Sequence, residues 1–297
     1  MIAVGVDAGG TSTDVLVSRD GAVVGEASAG GANATTLGID DAADVILRAM
    51  REALHGLKPD AVHVGAAGAG REKVAAELQA LIGSAFPHAR VAVGGDAAIA
   101  LRAALPEGDG AVLIAGTGSI AYAEHGTLCV RAGGLGPLAG DEGSAYAIGL
   151  AAIKLYGRVL DGRAQRDETA DLAARALAAP DRAAFLAALY DRNIAPAEVA
   201  ALAQPIIAFA GKGNRASTKI VQQAALDLGD LAKSVLRAAG LLEASPPIAL
   251  AGGLLRENSL LSFLLESRLT GDIPGATIVK GGEPPVRGAL RLAERSV

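Results

Sequence analysis

The chain has 297 residues, of which 51% are hydrophobic and 3% aromatic, and its formal net charge is −5. Its length predicts a sizeable core divided between two lobes, and its negative charge argues against nucleic acid or an anionic membrane as a partner. One cysteine, Cys129, excludes a disulfide framework and a cysteine-based metal cluster within a chain.

The first third of the chain begins with three predicted antiparallel strands. A buried strand over 2–6 runs into a loop rich in glycine and threonine, and strands over 14–18 and 22–28 follow. Apolar spacing then predicts a helix over 38–57. Two strand–helix units complete the segment, with strands over 61–68 and 90–95 and helices over 71–83 and 97–105. This order predicts one mixed sheet.

The segment 111–134 repeats the opening of the chain. A strand again runs into a loop of glycine, threonine and serine, Gly116-Thr117-Gly118-Ser119, and two further strands follow. The pair Gly10-Thr11 aligns with Gly116-Thr117, which predicts two similar lobes. The remaining predicted elements are an almost wholly helical region over 143–240, strands over 247–253 and 277–282, and helices over 256–269 and 285–295.

Both glycine–threonine loops suit an oxyanion. Glycine lets backbone N–H groups approach a ligand, threonine hydroxyls add donors, and successive N–H groups form an anion-binding concavity. The first loop opens a strand, unlike a dinucleotide-binding loop, and neither loop has the lysine of a P-loop. A tight hairpin without a ligand is the structural alternative for each loop.

Two aspartates stand at the ends of predicted strands. Asp7 precedes the first loop, where a carboxylate suits Mg²⁺ held through water. Asp96 follows the strand over 90–95, at the edge where ligand crevices of α/β sheets form. The structural alternatives are a turn cap for Asp7 and a helix N-cap for Asp96.

Two further glycine-rich segments are candidates for ligand contact. Residues 133–149 combine many glycines with Asp141 and Glu142, a composition that suits a polyhydroxyl ligand. Acids at a helix start also offset the macrodipole, which is the structural alternative. Gly252 and Gly253, shortly before Asn258, would let a flat base lie against the backbone, or would form an ordinary turn.

These motifs together resemble the sugar kinase, heat-shock chaperone and actin superfamily. "DAGGTST" (7–13) and "AGTGS" (115–119) look like its two phosphate motifs, and "LAGG" (250–253) looks like its adenosine motif. "GGLGPLAGDEGSAYAIG" (133–149) is similar to the glycine-rich block of the N-acetylglucosamine kinase branch, which includes the BadF/BcrA-type ATPases.

The resemblance implies an α/β fold of two ribonuclease-H-like, actin-like ATPase lobes with a cleft between them. The N-terminal lobe would comprise 1–106 and the C-terminal helix 285–297, and the C-terminal lobe 107–284 would carry a helical insertion.

The resemblance also implies roles for individual residues. Asp96 would be the catalytic base, and Asp7 would organise Mg²⁺. The expected ATP contacts are Gly9, Gly10, Thr11, Thr13, Gly116, Thr117 and Gly118 for the phosphates, and Gly252, Gly253 and Asn258 on the adenine side. The expected sugar contacts are Asn33, Asp96, Ser119, Gly136 and Asp141.

The activity that the resemblance implies is ATP-dependent phosphorylation of an amino sugar or hexose at the 6-hydroxyl, with N-acetylglucosamine or glucosamine favoured. Leu135 and Ala147 replace tryptophans that are common in the branch, so glucose and N-acetylmuramic acid stay open as substrates. The alternatives are a broad-specificity hexokinase or N-acetylmuramic acid kinase, and a non-sugar ATPase of the BadF type.

Other relatives of the superfamily fit the sequence less well. BadF-type activators hold a 4Fe–4S cluster with two cysteines per chain, and the zinc-containing glucokinase group has a cysteine-rich motif. This chain has only Cys129, so it matches neither pattern. An actin-like nucleotide switch would not need the sugar-binding set of Asn33, Asp96 and Asp141.

The expected partner is a small-molecule sugar, without nucleic acid or a membrane. No apolar run approaches the ~20 residues that span a bilayer, and the N-terminus lacks the basic region of a secretory signal. We therefore expect a soluble, cytoplasmic protein. The expected oligomeric state is a homodimer.

Overall fold

The computed structural model describes residues 1–255 and 258–296. The chain forms two compact units, the first comprising Met1–Gly108 and Gly282–Val297 and the second Asp109–Gly281. Each unit holds a mixed five-stranded sheet, and the strands follow the same order in both. The α/β class and the duplicated sheet predicted from the sequence are therefore confirmed.

In the first unit the sheet order is β3-β2-β1-β4-β5. The strands β1–β3 are antiparallel, and β4 and β5 continue the sheet parallel to β1. The strands are β1 (Ile2–Ala8), β2 (Ser12–Arg19), β3 (Ala22–Gly30), β4 (Ala61–Ala66) and β5 (Arg90–Gly95). The helices are α1 (Ala34–Leu37), α2 (Ile39–Leu54), α3 (Glu72–Ala85), α4 (Asp96–Ala104) and the closing α12 (Pro285–Arg295).

Side chains on the first sheet alternate between two packed faces, as the period of a strand requires. Val4 and Val6 pack with Ile46 of α2 and Leu78 of α3 in one core. On the other face Ala3 and Leu16 pack with Val286 and Leu290 of α12. Asp7 shares the parity of Ala3, so it lies on the face covered by α12 and α4.

In the second unit the sheet order is β10-β9-β6-β7-β8. Its strands are β6 (Gly110–Ala115), β7 (Ser119–His125), β8 (Leu128–Gly133), β9 (Pro247–Ala251) and β10 (Thr277–Lys280). The helices are α5 (Ala145–Leu160), α6 (Glu168–Ala176), α7 (Arg182–Asp191), α8 (Pro196–Ala200), α9 (Ala203–Gly211), α10 (Arg215–Ala238) and α11 (Leu260–Asp272).

The core of the second unit joins the sheet to α5, α10 and the helices between them. Leu113 of β6, Ile148 of α5, Ile206 of α9 and Leu228 of α10 are fully buried in one cluster. The helices α6–α9 form the predicted helical insertion.

Several predicted boundaries are wrong. The helix predicted over 256–269 begins at Leu260, because Ser259 acts as N-cap and accepts a hydrogen bond from Ser262 N; Asn258 precedes that helix, and 256–257 lie outside the described residues. The helix predicted to 57 ends at Leu54, since His55 has a left-handed φ of 47°. Among the described residues, no helix combines the length and apolar character that crossing a bilayer demands.

Candidate active site

The first unit gathers its candidate residues at one edge of its sheet. The strands β1, β4 and β5 run parallel, so their carboxyl ends meet at the same edge, where α/β proteins bind ligands. The segments that follow these ends are the loop 9–11, the loop 67–71 and Asp96.

The loop after β1 is held by backbone hydrogen bonds, and Gly10 and Thr11 remain accessible. Gly9 N donates to Ser12 O at 2.9 Å, and Ala32 N donates to Gly9 O at 2.9 Å. A Cβ at Gly10 would meet nothing within 4 Å, whereas a Cβ at Gly31 would lie 2.2 Å from Gly10 O. The close packing therefore requires glycine at 31, and the exposed Thr11 remains accessible to a ligand.

Thr13, predicted to contact phosphate, has a structural role instead. Its side chain is fully buried, and its hydroxyl donates to Gly30 O at 2.8 Å. Thr13 belongs to β2 and pairs with Ala8, so strand alternation turns it toward the core. This corrects the predicted contact.

Three carboxylates lie close together beside the first loop. Burial, together with the negative charges of Asp96 and Asp14, raises the pKa of Asp7 to about 6. Asp14, the register partner of Asp7, accepts a hydrogen bond from Ser28 Oγ at 2.6 Å. A half-buried carboxylate that two neighbouring negative charges repel creates a negative site that a cation would neutralise.

Asp96 is the first residue of α4, and Gly95 is the N-cap. The structural alternative of a capping aspartate is therefore wrong, since a cap side chain belongs to the residue before the first helical one. Asp96 contributes to the electrostatic environment of Asp7, which places the two carboxylates in one neighbourhood.

Asn33 caps the short helix α1, which the sequence analysis missed. Its Oδ1 accepts a hydrogen bond from Thr35 N at 2.8 Å. Among the described residues, the Asn33 amide nitrogen has no hydrogen-bond partner, so it can donate to a hydroxyl group of a ligand.

The loop 67–71 connects the surroundings of Asn33 with those of Asp96. A Cβ at Gly68 would lie 2.4 Å from Thr35 Oγ1, and a Cβ at Gly95 would lie 3.7 Å from Gly70 Cα. Arg71 Nη2 donates to Thr35 Oγ1 at 2.9 Å. From the sequence, residues 65–70 are interpreted only as a loop at a strand end, although a loop that follows a strand parallel to β1 is a usable signal for a ligand site.

The second unit presents an equivalent loop after β6. Gly116 N donates to Gly118 O at 2.9 Å, and the exposed Thr117 lies between them. The first turn of α5 also holds this loop, because Ala145 N donates to Gly116 O at 2.9 Å and Tyr146 N to Thr117 O at 3.2 Å.

Asp141 is packed directly against this second loop. It has a left-handed φ of 62°, and its Oδ1 accepts a hydrogen bond from Ser119 N at 3.2 Å. Burial raises its pKa, while the hydrogen bond from Ser119 N acts in the opposite direction. A Cβ at Gly118 would lie 2.6 Å from Asp141 Oδ1, so glycine makes this contact possible.

Ser119, predicted to contact sugar, is instead part of the loop framework. It is 3% exposed, and its hydroxyl donates to Glu142 O at 2.7 Å. This corrects the predicted contact. Gly136 has a φ of 82° and open space around its Cβ position, so a ligand can approach its backbone.

The predicted adenine-side residues follow β9, which is parallel to β6. Gly252 has a φ of 88°, and a Cβ there would lie 2.2 Å from Ala115 O, so the fold itself requires this glycine. A Cβ at Gly253 would meet nothing within 4 Å. Asn258 Oδ1 accepts a hydrogen bond from Lys280 Nζ at 3.1 Å.

A family model described as the BadF/BadG/BcrA/BcrD ATPase family matches residues 4–293. The chain belongs to this family. Membership in an ATPase family implies that the chain uses ATP, and it agrees with the resemblance inferred from the phosphate and glycine-rich motifs.

Sugar kinases are among the relatives that match this chain over nearly its whole length. An N-acetylmuramic acid/N-acetylglucosamine kinase of Clostridium acetobutylicum is 26% identical over 98% of this chain and 97% of its own. An N-acetyl-D-glucosamine kinase of Dictyostelium discoideum is 28% identical over 99% of this chain and 98% of its own. A solved structure from Chromobacterium violaceum, named as a candidate N-acetylglucosamine kinase, has a TM-score of 0.78 at 25% identity, with 98% of both chains covered.

Proposed function

We propose that this protein transfers the γ-phosphate of ATP to the 6-hydroxyl of an amino sugar, with N-acetylglucosamine or glucosamine as the favoured acceptor. The observation that carries the proposal is the neighbourhood of Asp7 and Asp96 at the strand ends beside the first glycine–threonine loop. The names of the full-length relatives support an amino sugar as the substrate class.

The two glycine–threonine loops are proposed to contact ATP phosphates. In each loop an exposed threonine stands beside glycines, and the loop backbone is held by hydrogen bonds to the next strand or helix. Donors fixed in this way stabilise charge on a transferring phosphoryl group without reorganising during the reaction. Thr11 and Thr117 are the hydroxyls available for this role. Gly9, Gly10, Gly116 and Gly118 would contribute backbone contacts, and Gly252, Gly253 and Asn258 would bound the adenine side.

Asp96 is proposed as the general base. Its carboxylate accepts the proton of the sugar 6-hydroxyl while that oxygen forms a bond to the γ-phosphorus and the bond to the β-phosphate oxygen breaks. Its neighbour Asp7 carries negative charge at neutral pH, because its raised pKa of about 6 still lies below 7.

The residues around Asp7 fit Mg²⁺ held through water. Among the described residues, no group of three or more histidine, cysteine or acidic side chains could hold an ion directly. Magnesium keeps several waters and binds through one or two carboxylates plus substrate phosphates, which matches a single half-buried aspartate. When bound, Mg²⁺ would neutralise charge on the phosphates, and Asp7 would position its water shell.

The proposed sugar contacts are Asn33, Asp96, Gly136 and Asp141. Asn33 offers a free amide donor, and Asp141 offers a buried carboxylate. An acceptor that includes N-acetylmuramic acid is a second candidate, favoured by the name of the Clostridium acetobutylicum relative. A homodimer in the cytoplasm is part of the proposal.

A coupled ADP-release screen tests the proposed function. Glucose, glucosamine, N-acetylglucosamine, N-acetylmannosamine and N-acetylmuramic acid are compared at equal concentration with ATP and Mg²⁺. We expect the highest kcat/KM for N-acetylglucosamine or glucosamine. ADP release that no sugar increases would contradict a sugar kinase and favour a non-sugar ATPase.

Replacing threonine by valine should distinguish the exposed Thr11 and Thr117, which are proposed to contact ATP, from the buried Thr13. We expect Thr11→Val and Thr117→Val each to lower kcat/KM for ATP roughly 10–150-fold, because a hydrogen bond to a charged group contributes about 1.5–3 kcal/mol. Thr13→Val is the matched control, since it removes a buried hydroxyl bonded to Gly30 O. It should lower the free energy of unfolding by about 1–3 kcal/mol and leave kcat/KM nearly unchanged. Wild-type kinetics for both exposed variants would make the loops structural turns.

Two substitutions at Asn33 should distinguish sugar binding from capping. Asn33→Asp keeps an oxygen that can cap α1 but loses the amide donors, whereas Asn33→Ala loses both. We expect both variants to raise the KM for the sugar about ten-fold or more, with the KM for ATP nearly unchanged. Steady-state kinetics with each substrate varied in turn provide the measurement. A wild-type sugar KM for Asn33→Asp would assign Asn33 to capping alone.

A further inference from the structure

A cavity of about 420 Å³ lies in the second unit where α5 ends and α7 begins. Lys154 and Arg158 contribute from the last turns of α5, Arg163 from the segment after it, and Arg182 from the first residue of α7. The loop Gly116–Gly118 lies at the other end of α5, and a helix of 16 residues is about 24 Å long. The cavity is thus separate from the proposed phosphate loops.

The walls of the cavity carry unbalanced positive charge. Four of its side chains are cationic and one, Asp161, is anionic, in a chain whose net charge is −5. Asp161 accepts hydrogen bonds from Arg163, at 3.1 Å from Nε, and from Arg182. In the part of the chain that the structure describes, no ion pair or hydrogen bond joins the side chains of Lys154 and Arg158 to another group. An anion would relieve the repulsion among these cations.

The remaining lining of the cavity is apolar. Phe185 is 8% exposed, and its ring packs edge-to-face on the buried Tyr156 with ring centroids 5.3 Å apart. Leu160 and the exposed Leu186 complete this side. A ligand that fits both surfaces combines an anionic group with a carbon skeleton or ring.

We propose that this cavity binds a phosphate-bearing small molecule. Two of its arginines are oriented by a shared carboxylate, and the planar guanidinium group matches phosphate oxygens in a bidentate arrangement. Lys154 and Arg158, one turn apart on α5, add two mobile donors. A sugar phosphate and a nucleoside phosphate share this chemistry, and both would place their organic part against Phe185.

Calorimetric titration of the full chain tests the proposal with three probes: inorganic phosphate, glucosamine 6-phosphate and ADP. The variant Lys154→Gln/Arg158→Gln removes two exposed cations of the cavity. Arg175→Gln/Lys219→Gln is the control, with the same charge change at exposed positions outside the lining. We expect at least one probe to bind the cavity variant roughly ten-fold or more weakly than wild type and control, because each charged hydrogen bond contributes about that factor.

The probe that loses affinity identifies the source of the phosphate. Loss for glucosamine 6-phosphate alone supports a sugar phosphate, loss for ADP alone supports a nucleotide, and loss for all three supports the phosphate group itself. Affinities of all three probes that agree within twofold between wild type and the cavity variant would overturn the proposal. ADP and glucosamine 6-phosphate are also products of the proposed reaction, but the proposed site is unaltered in wild type, control and cavity variant. The difference between these proteins therefore tests the cavity separately from the proposed function.

Discussion

Replacing Asp96 by asparagine should lower kcat about 10²–10⁴-fold, the usual contribution of a positioned general base. Asparagine keeps the size of the side chain and removes its ability to accept a proton. Phosphoryl transfer is loose and the hydroxyl loses its proton late, so a loss near the lower end of this range is consistent with the role. Sugar-dependent ADP release and thermal melting are measured on the same preparation.

The control for Asp96→Asn is Glu72→Gln. Glu72 is the first residue of α3, as Asp96 is of α4, and both helices follow a strand of the same parallel set. Each substitution removes one acid from a first helical turn, which costs about 0.3–1 kcal/mol through the helix macrodipole. We expect equal small changes in melting and a loss of turnover only for Asp96→Asn. Turnover within threefold of wild type would reject Asp96 as the base and make Asp141 the candidate.

The topology could be predicted because its signals are local. Each sheet begins with a strand, a glycine–threonine loop and two returning strands, and this repeat is visible in the sequence. The helix α1 could not be predicted, since its four residues are too few to show a period. The start of α11 could have been predicted more closely, because the cap joins Ser259 and Ser262, which are only three residues apart.

The site residues divide in the same way. Strand ends identify Asp7 and Asp96, because the carboxyl edge of a parallel sheet is a general ligand position. The orientation of Thr13 and Ser119 depends on where β2 and β7 begin. Both residues lie within paired strands, and their hydroxyls bond to the backbone of the loop framework. Thr11 and Thr117 each lie two residues earlier, before the strand begins, and remain exposed. Gly31 and Gly68 could not be identified from sequence, since the atoms they accommodate belong to distant segments.

The charge of Asp7 links the stability of the protein to its activity. The pKa of Asp7 is raised from 3.8 to about 6, mainly by burial and then by Asp96 and Asp14. The native state therefore holds its proton more tightly than the unfolded state does. As the pH rises from about 4 to about 6, the unfolded state releases this proton first, and stability falls. Above pH 6 the whole cost is present.

Asp7→Asn should therefore stabilise the metal-free protein while it impairs catalysis. At pH 7.5 in EDTA we expect the free energy of unfolding to rise by about 1–3 kcal/mol, since one pKa unit corresponds to about 1.4 kcal/mol. The gain should shrink toward zero as the pH falls to 4. Sugar-dependent ADP release should fall about 10–100-fold and recover in part at high Mg²⁺, as expected for a residue that orients metal-bound water.

The control for Asp7→Asn is Asp14→Asn. Asp14 contributes to the same repulsion, but its carboxylate accepts hydrogen bonds from Ser12 and Ser28. Asp14→Asn should therefore raise the free energy of unfolding by less than Asp7→Asn does, and it should keep most of the activity. Thermal melting from pH 4 to 8 and a Mg²⁺ titration of ADP release compare the two variants. If the difference in melting temperature between Asp7→Asn and wild type did not change with pH, ionisation of Asp7 would not destabilise the native state. Full activity of Asp7→Asn at low Mg²⁺ would reject Asp7 as a residue of the proposed metal site, because a carboxylate that orients metal-bound water should be needed most when Mg²⁺ is scarce.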